Sequence, residues 1–136
     1  MERKLIQMAL NARKSAYAPY SHYQVGAALL TEDGEIVTGC NVENASYGAA
    51  CCAERTAVFK AVSDGKKRFR SIAIVGGIEE QEPQDYAYPC GICRQVLSEF
   101  ASQKEMTVIV AKGCDDYKEY SLSELLPSSF GGDSIK

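Results

Sequence analysis

The spacing of hydrophobic residues predicts a helix followed by a β-hairpin at the start of the chain. In residues 2–16, apolar side chains recur every three or four positions, a pattern typical of an amphipathic helix. Residues 24–30 and 35–40 are apolar segments separated by Asp33-Gly34, a dipeptide typical of a hairpin turn. We therefore expect two antiparallel strands after the helix. The helix face expected to be buried comprises Leu5, Met8, Ala9, Ala12 and Ala16.

Further along the chain, apolar segments alternate between helical and extended patterns. The elements predicted there are, in order, a helix at 52–63, a strand at 71–76, a polar loop at 78–88, a helix at 91–101, a strand at 106–111, an edge strand at 117–120 and a short helix that begins with a capping box at 121–124. Strands that alternate with helices indicate a mixed sheet covered by helices. We therefore predict an α/β fold in one domain spanning 1–136, a three-layer α/β/α sandwich with a mixed β-sheet.

Composition narrows the range of functions. The 136 residues suit one domain, 46% of them are hydrophobic, and the net charge is −3. The basic cluster at 66–70 follows Asp64-Gly65 and is typical of a solvated turn, which argues against a dedicated nucleic-acid-binding protein. The N-terminal segment has no long apolar stretch, so we expect no signal peptide and no membrane anchor, and hence a cytosolic protein. In that compartment the six cysteines are expected to be thiols or metal ligands.

Two cysteine motifs indicate a catalytic metal site. Cys52 stands two residues before Glu54, and a later Pro-Cys-Gly-Ile-Cys segment places Cys90 and Cys93 one helical turn apart. Three thiolates on zinc leave one coordination position free for water, and a nearby glutamate can move the proton of that water. The split pattern C-x-E and P-C-x-x-C is a known signature of zinc-dependent nucleobase deaminases. The sequence therefore predicts that Cys52, Cys90 and Cys93 bind Zn²⁺ and that Glu54 is catalytic.

The charges expected around this site favour thiolates. Cys52 and Cys90 each open a predicted helix, and the positive end of a helix lowers the pKa of a nearby thiol. Arg55 is a candidate hydrogen-bond donor to the ligand sulfurs, and the alternative is an ordinary exposed helix residue. The side chains of residues 52 and 54 would point away from each other in the middle of a helix, but in its first turn they can point to the same place.

Other interpretations of the cysteines stay open at this point. The C-x-x-C pair alone also fits a redox pair, or half of a structural four-cysteine zinc site completed by Cys51 and Cys52. Those interpretations leave Glu54 without a role. Cys40 and Cys114 are expected to be plain thiols.

Five segments resemble one known family. They are YSHYQVGAA at 20–28, GCNVENASY at 39–47, CAER at 52–55, PCGICRQ at 89–95 and ELLP at 124–127. In this order they resemble the small bacterial and animal cytidine deaminases, and the resemblance spans nearly the whole chain. It implies zinc-dependent hydrolytic deamination of cytidine and deoxycytidine to the uridines and ammonia, in pyrimidine salvage, with one Zn²⁺ per chain.

The resemblance also implies roles for individual residues. Glu54 would take a proton from the attacking water, pass it to ring N3 of the base and later to the leaving ammonia. Asn41 and Glu43 would hold the ribose 3′-hydroxyl. Residues i and i+2 at a strand end face the same way, which supports this pairing independently, although a polar pair that caps a turn fits as well.

The implied assembly is a homotetramer whose active sites are shared between subunits. Tyr23 and Ala53 are expected at the substrate pocket, whereas Tyr47 and Phe130 would reach the pocket of a neighbouring chain. Phe130 stands alone on a flexible tail, so packing into a partner would bury it; the alternative is that it folds back onto the segment 125–126 of its own chain.

The chain departs from the usual family pattern at the rim of the expected pocket. Tyr23 stands where Phe is frequent, Tyr88 and Ile92 stand where smaller residues are frequent, and the loop 78–88 is long. Three alternative functions are deamination of another aminopyrimidine such as blasticidin S, modification of bases in RNA or single-stranded DNA, and a non-catalytic zinc module. A blasticidin S deaminase needs no residues that hold a ribose, and a protein that modifies nucleic-acid bases needs a basic groove. A non-catalytic module would bind zinc without turning over any aminopyrimidine.

Overall fold

The computed structural model describes residues 1–101 and 105–135, which form four helices and five strands. The helices are α1 (Glu2–Arg13), α2 (Ala53–Ser63), α3 (Gly91–Phe100) and α4 (Leu122–Leu125). The strands are β1 (Tyr23–Thr31), β2 (Ile36–Cys40), β3 (Phe69–Ile78), β4 (Thr107–Gly113) and β5 (Asp116–Ser121). Single 3₁₀ turns lie at Tyr47–Ala49 and Gly132–Ser134. Within the described ranges, the helices are all too short or too polar to cross a membrane.

The five strands form one mixed sheet in the order β2-β1-β3-β4-β5. β3 and β4 run parallel, and every other neighbouring pair runs antiparallel. The predicted hairpin is present, with Leu30 opposite Ile36. The parallel pair requires a crossover connection, which the loop after β3 and helix α3 supply. As a result, α2 and α3 both begin near the same end of the sheet, where their cysteines lie.

Alternation along the strands divides the core into two layers. Ala27 and Leu29 of β1 face α2 and α3, whereas Ala28 and Leu30 face α1. The first layer also buries Ile72 and Ile74 of β3 and the apolar faces of α2 and α3, while the second buries α1 against the opposite surface. The predicted three-layer α/β/α sandwich with a mixed sheet is therefore confirmed.

Two glycines allow helices to approach the sheet at backbone distance. A Cβ atom at Gly39 of β2 would lie 2.5 Å from the amide nitrogen of Ala57 and 2.6 Å from the carbonyl oxygen of Ala53. A Cβ atom at Gly26 of β1 would lie 2.0 Å from the carbonyl oxygen of Ala9. Contacts this short leave no room for any side chain. Gly39 thus sets how closely the first turns of α2 lie against the sheet.

The first helix is shorter than predicted. It ends at Arg13, and residues 14–16 continue as tight turns in which each amide bonds to the third carbonyl back. The cause lies outside the helix, because the Tyr17 amide pairs with the Asn41 carbonyl and pulls the chain into an extended bridge. The prediction also missed Ile6, which is fully buried.

Candidate active site

Three cysteine thiols meet where α2 and α3 begin. Cys52 is the N-cap residue of α2 and Cys90 that of α3, both with extended backbone, and Cys93 lies in the first turn of α3. The Cys90 sulfur lies 3.8 Å from the Cys52 sulfur and 3.4 Å from the Cys93 sulfur. All three sulfur atoms lie within 4.8 Å of one another. The structure therefore brings together the three cysteines that the split motif singled out.

This donor set fits a zinc ion. Sulfur ligands in a tetrahedral zinc site, each about 2.3 Å from the metal, stand about 3.8 Å from one another, close to the separations seen here. Three thiolates would also leave one position for a further ligand. Cys51 does not belong to the group: among the described residues, the cluster of potential metal ligands contains Cys52, Cys90 and Cys93 alone. That geometry argues against a four-cysteine structural site.

Hydrogen bonds within the cluster favour a thiolate at Cys52. A bond from the Cys93 thiol lowers the pKa of Cys52 to about 5 in spite of partial burial, and Arg55 and Cys90 contribute in the same direction. Arg55 donates from Nη2 to the Cys52 sulfur at 3.4 Å. The same thiol–thiol bond, together with burial, raises the pKa of Cys93. The Nε atom of Arg55 is buried and finds no hydrogen-bond partner within the described ranges, so the guanidinium retains donor capacity beside the sulfurs.

Glu54 is a buried carboxyl next to the thiols. It is only 4% exposed, although it lies in the first turn of α2. Burial raises its pKa to about 7, and the negative charge of Cys52 adds to the effect. A carboxyl with this pKa can both accept and donate a proton near neutral pH. Because Cys52 precedes the helix with extended backbone, Cys52 and Glu54 line the same cavity despite their spacing of two.

A cavity of about 550 Å³ opens above this cluster, a size typical of small-molecule sites. The predicted site residues that line it are Tyr23, Asn41, Glu43, Tyr47, Cys52, Ala53, Glu54, Arg55 and Cys90. Ile74 of β3 also lines it. Nearly all the residues predicted from widely separated motifs therefore share one cavity.

Asn41 and Glu43 line the cavity from the segment after β2 and are already hydrogen-bonded. The side-chain oxygen of Asn41 accepts a hydrogen bond from the Val25 backbone N–H at 2.8 Å, and its side-chain NH₂ group donates one to the Tyr23 carbonyl at 2.9 Å. Glu43 accepts bonds from the Tyr20 and Ser21 amides at 3.0 and 3.2 Å, and from the Ser21 hydroxyl. These bonds, chiefly the one from the Ser21 hydroxyl, lower the pKa of Glu43. Both side chains thus order the local backbone as well as line the cavity.

Three predicted aromatic residues occupy different environments. Tyr23 packs over Gly76, where a Cβ atom would lie 2.9 Å from its ring, and it forms part of the cavity wall. Tyr47 lies at the mouth of the cavity and is 81% exposed. Phe130 does not line this cavity; its ring is 62% exposed, so it is not buried against 125–126, and its carbonyl accepts a bond from Gln95.

Sequence reasoning missed several wall residues. Val25, Val42, Ala50, Cys51 and Ala87 also line the cavity. Val42 pairs with Tyr17 on one side and Cys51 on the other, a bridge that no local pattern indicates. Tyr88, which the sequence analysis assigns to the rim of the pocket, does line the cavity. A signal existed for Val25 and Ile74, because both lie in strands that the sequence predicts.

Comparisons with known proteins point to the same chemistry. A family described as the cytidine and deoxycytidylate deaminase zinc-binding region matches residues 1–111. The chain is 45% identical over 136 residues to a cytidine deaminase from Halalkalibacterium halodurans, covering 99% of this chain and 98% of that protein. It is 46% identical over 132 residues to a cytidine deaminase from Sporosarcina psychrophila, covering 97% and 93%.

Solved structures agree with the sequence comparison. A cytidine deaminase from Burkholderia pseudomallei has a TM-score of 0.85 at 45% identity, covering 96% of this chain and 99% of that one. A cytidine deaminase from Mycobacterium tuberculosis has a TM-score of 0.77 at 39% identity, covering 94% and 95%. The similarity thus extends over the whole three-layer fold.

Proposed function

The chain belongs to the zinc-binding cytidine and deoxycytidylate deaminase family, and we propose that it hydrolyses cytidine and deoxycytidine to uridine, deoxyuridine and ammonia, in pyrimidine salvage. The observation that carries the proposal is the buried carboxyl of Glu54, with its raised pKa, beside three converging thiols at the floor of a nucleoside-sized cavity. A carboxyl and a metal-ligand set in one enclosed site are what hydrolysis of a cyclic amidine requires.

In this proposal one zinc ion per chain is held by Cys52, Cys90 and Cys93. Bound zinc lowers the pKa of water and so supplies a nucleophile at neutral pH. Three thiolates would give the site a net negative charge, and the contact of Arg55 with the Cys52 sulfur supports a role in offsetting it. The two helix N-termini add positive potential at the same place.

Glu54 is the proposed proton carrier. Its carboxylate takes one proton from the attacking water and delivers it to ring N3 of the base. It then takes the second proton of that water from the hydroxyl formed at C4 and gives it to the amino group, which leaves as ammonia. Burial excludes bulk water from the carboxyl, which keeps its pKa suited to both directions of transfer. Ala53 is fully buried beside it and is proposed to contact the base.

Asn41 and Glu43 are the proposed ligands of the ribose 3′-hydroxyl. A carboxylate offers about four acceptor positions, and the bonds from Tyr20 and Ser21 use three of them. The Asn41 amide likewise has a second N–H beyond the one bound to the Tyr23 carbonyl. The local bonds therefore hold both groups in place and still leave capacity for a sugar hydroxyl.

We also propose a homotetramer in which each active site receives residues from a neighbouring chain. The exposure of Tyr47 and of Phe130 supports this, because large aromatic side chains at a cavity mouth and on a nearby tail gain from burial. A cytosolic location is proposed in turn, since all six cysteines are free thiols or members of the metal-ligand group.

The decisive experiment follows the loss of cytidine absorbance with purified, zinc-loaded protein. Glu54→Gln is the matched control, because it preserves shape while removing the proton carrier. Cytosine and blasticidin S, tested in parallel, distinguish a nucleoside deaminase from one acting on other aminopyrimidines. A single-stranded oligonucleotide tests the nucleic-acid alternative, which the pairing of Lys66 with Asp33 and Glu35 within the basic segment already disfavours. Turnover of cytidine by Glu54→Gln at the parent rate would contradict the proposal.

A further inference from the structure

One wall of the cavity is made by a segment with no regular structure of its own. β3 ends at Ile78 and α3 begins at Gly91, and the described residues between them form neither helix nor strand. The end of this segment supplies Ala87, Tyr88 and Cys90 to the cavity. Backbone hydrogen bonds hold its first residues, Glu79 and Gln81, but residues 82–89 form none with other described backbone groups, so side-chain contacts must order them if they are to present a fixed surface.

Two tyrosines fasten this wall to the edge strand β5. The Tyr88 hydroxyl lies 3.0 Å from the Tyr120 hydroxyl, and the two rings meet edge-on with centroids 5.8 Å apart at 62°. Tyr86 donates a hydrogen bond from its hydroxyl to the Asp116 carboxylate. We call Tyr86, Tyr88, Asp116 and Tyr120 the tyrosine clasp.

Further contacts hold the same segment at the Tyr86 ring and at Pro89. The ammonium groups of Lys112 and Lys118 each lie 4.7 Å from the centre of the Tyr86 ring, within the range of cation–π attraction. Arg94 of α3 donates from Nε to the Pro89 carbonyl at 2.8 Å. The fastened residues directly precede Cys90, so the clasp orders the wall up to the thiol cluster.

We propose that Tyr120, acting through Tyr88, is a positioning residue for the cavity wall that receives the nucleoside. Tyr120 itself lies on β5 and is not part of the cavity lining. A wall that is already ordered in the free protein loses less conformational entropy when the ligand binds. The clasp therefore strengthens ligand affinity. Glu54 lies in the first turn of α2 and Cys93 in the first turn of α3, so the helical backbone holds both of them. The identity of the ligand, but not the clasp itself, rests on the function proposed above.

Tyr120→Phe removes one hydroxyl and keeps the ring, so it is the sharpest test. We expect KM for cytidine and the inhibition constant of uridine to rise about two- to tenfold, the factor for one lost hydrogen bond. We expect kcat to change by less than about twofold, because the lost contact serves ground state and transition state alike. Tyr117→Phe is the matched control: it is a partly exposed tyrosine on the opposite face of β5 and should leave all three constants unchanged.

A double-mutant cycle tests whether the effect passes through Tyr88. If the two hydroxyls act through their mutual hydrogen bond, Tyr88→Phe combined with Tyr120→Phe should raise KM no more than one of them alone. If the two substitutions act independently, their fold-increases in KM will multiply in the double variant, and that result would overturn the proposed route through Tyr88.

Hydrogen–deuterium exchange provides a readout that needs no activity. The amides of 84–88 should exchange faster in Tyr120→Phe than in the parent or in Tyr117→Phe, while those of β3 and α2 stay unchanged. If the parent protein does not turn over cytidine, the proposed function fails and this exchange decides the inference alone. Equal exchange in Tyr120→Phe and Tyr117→Phe would overturn the inference. In an active parent, faster exchange with an unchanged KM would overturn it too.

Discussion

Two groups of residues at the cavity are positioned in different ways, and we call them the thiol end and, after its proposed role, the sugar end. At the thiol end, Glu54 and Cys93 are buried, and their positions follow from the first turns of two helices packed on the sheet. The sugar end comprises Asn41 and Glu43, which lie on extended backbone after β2, and Tyr47, which is largely exposed. The thiols and Glu54 are thus brought together within one chain, whereas we propose that loops and a second chain enclose the ligand.

This difference separates two kinds of mutational effect. Substitutions at the thiol end are expected to change metal content or kcat, because in the proposed mechanism these residues hold the metal or transfer protons. Residues at the sugar end are expected to change affinity and substrate choice, since remote binding energy positions the base without taking part in its chemistry. The following experiments either sharpen this division or break it.

The largest effect is expected for the thiols. Cys90→Ala should lose zinc and turnover together, by more than the about 10⁴-fold that one acid–base group contributes, because the nucleophile itself is no longer supplied. Metal analysis alongside cytidine turnover checks this. Cys51→Ala is the neighbouring control and should retain zinc, as should Cys40→Ala and Cys114→Ala. Full zinc occupancy in Cys90→Ala would refute the ligand set.

Glu54→Gln should separate metal binding from catalysis. We expect one zinc per chain, as in the parent, with kcat lower by about 10²–10⁴-fold, the usual contribution of a general acid–base group. The upper end is expected because one carboxyl serves several proton transfers. Metal content and steady-state kinetics on the same sample are the measurements, and near-normal turnover would exclude the role.

Phe130→Ala tests whether the sugar end is completed by a partner. Burial of the Phe130 ring against a partner would contribute about 1.5–3 kcal/mol, so its loss should lower kcat/KM by about 10- to 140-fold. Ile135→Ala, on the same tail and 81% exposed, is the matched control and should have little effect. Light scattering on the parent protein measures the mass of the assembly, and a fully active monomer would contradict the proposed shared site.

Subunit mixing makes the same test sharper. Glu54→Gln and Phe130→Ala chains, dissociated and reassembled together, should regain activity if Phe130 acts on a neighbour. Random assortment gives about one quarter of the pockets an intact Glu54 and an intact Phe130 from another chain. Activity that stays at the sum of the two separate variants would show that Phe130 acts within its own chain.

The smallest of these effects is expected for Glu43. Glu43→Gln should raise KM for cytidine about tenfold, the scale of one hydrogen bond to a charged group, and leave free cytosine unaffected. The ratio of kcat/KM between the two substrates measures this. An equal loss on cytosine and cytidine would place Glu43 in the support of the backbone at Tyr20 and Ser21 rather than at the sugar.

The parts of this molecule that were predictable from sequence are those governed by local periodicity or by residue chemistry. The hairpin, the capping box before α4 and the pairing of two cysteine motifs each have a local signature, and the structure contains all three. The end of α1 was wrong by three residues because the extended bridge from Tyr17 to Val42, distant in sequence, decides where the chain leaves the helix.

The cavity wall was less predictable for the same reason. Tyr120 carries no motif, and its contact with Tyr88 exists only because β5 folds back beside the segment that precedes α3. The local bonds of Asn41 and Glu43 were equally invisible, since their partners lie on the backbone of other segments. Side-chain chemistry could be anticipated from residue type, but the partners that fix its geometry required the fold.

Gly39 carries a consequence for protein engineering. It contributes no side chain to the cavity, yet any Cβ atom there would collide with the backbone of α2 and push that helix outward. In a saturation library selected for activity, substitutions at position 39 should therefore be depleted about as strongly as those at the thiols. A library designed only from cavity-lining residues would omit this position, and a redesign that shortened or stiffened β2 around it would misplace Cys52 and Glu54 without altering either one.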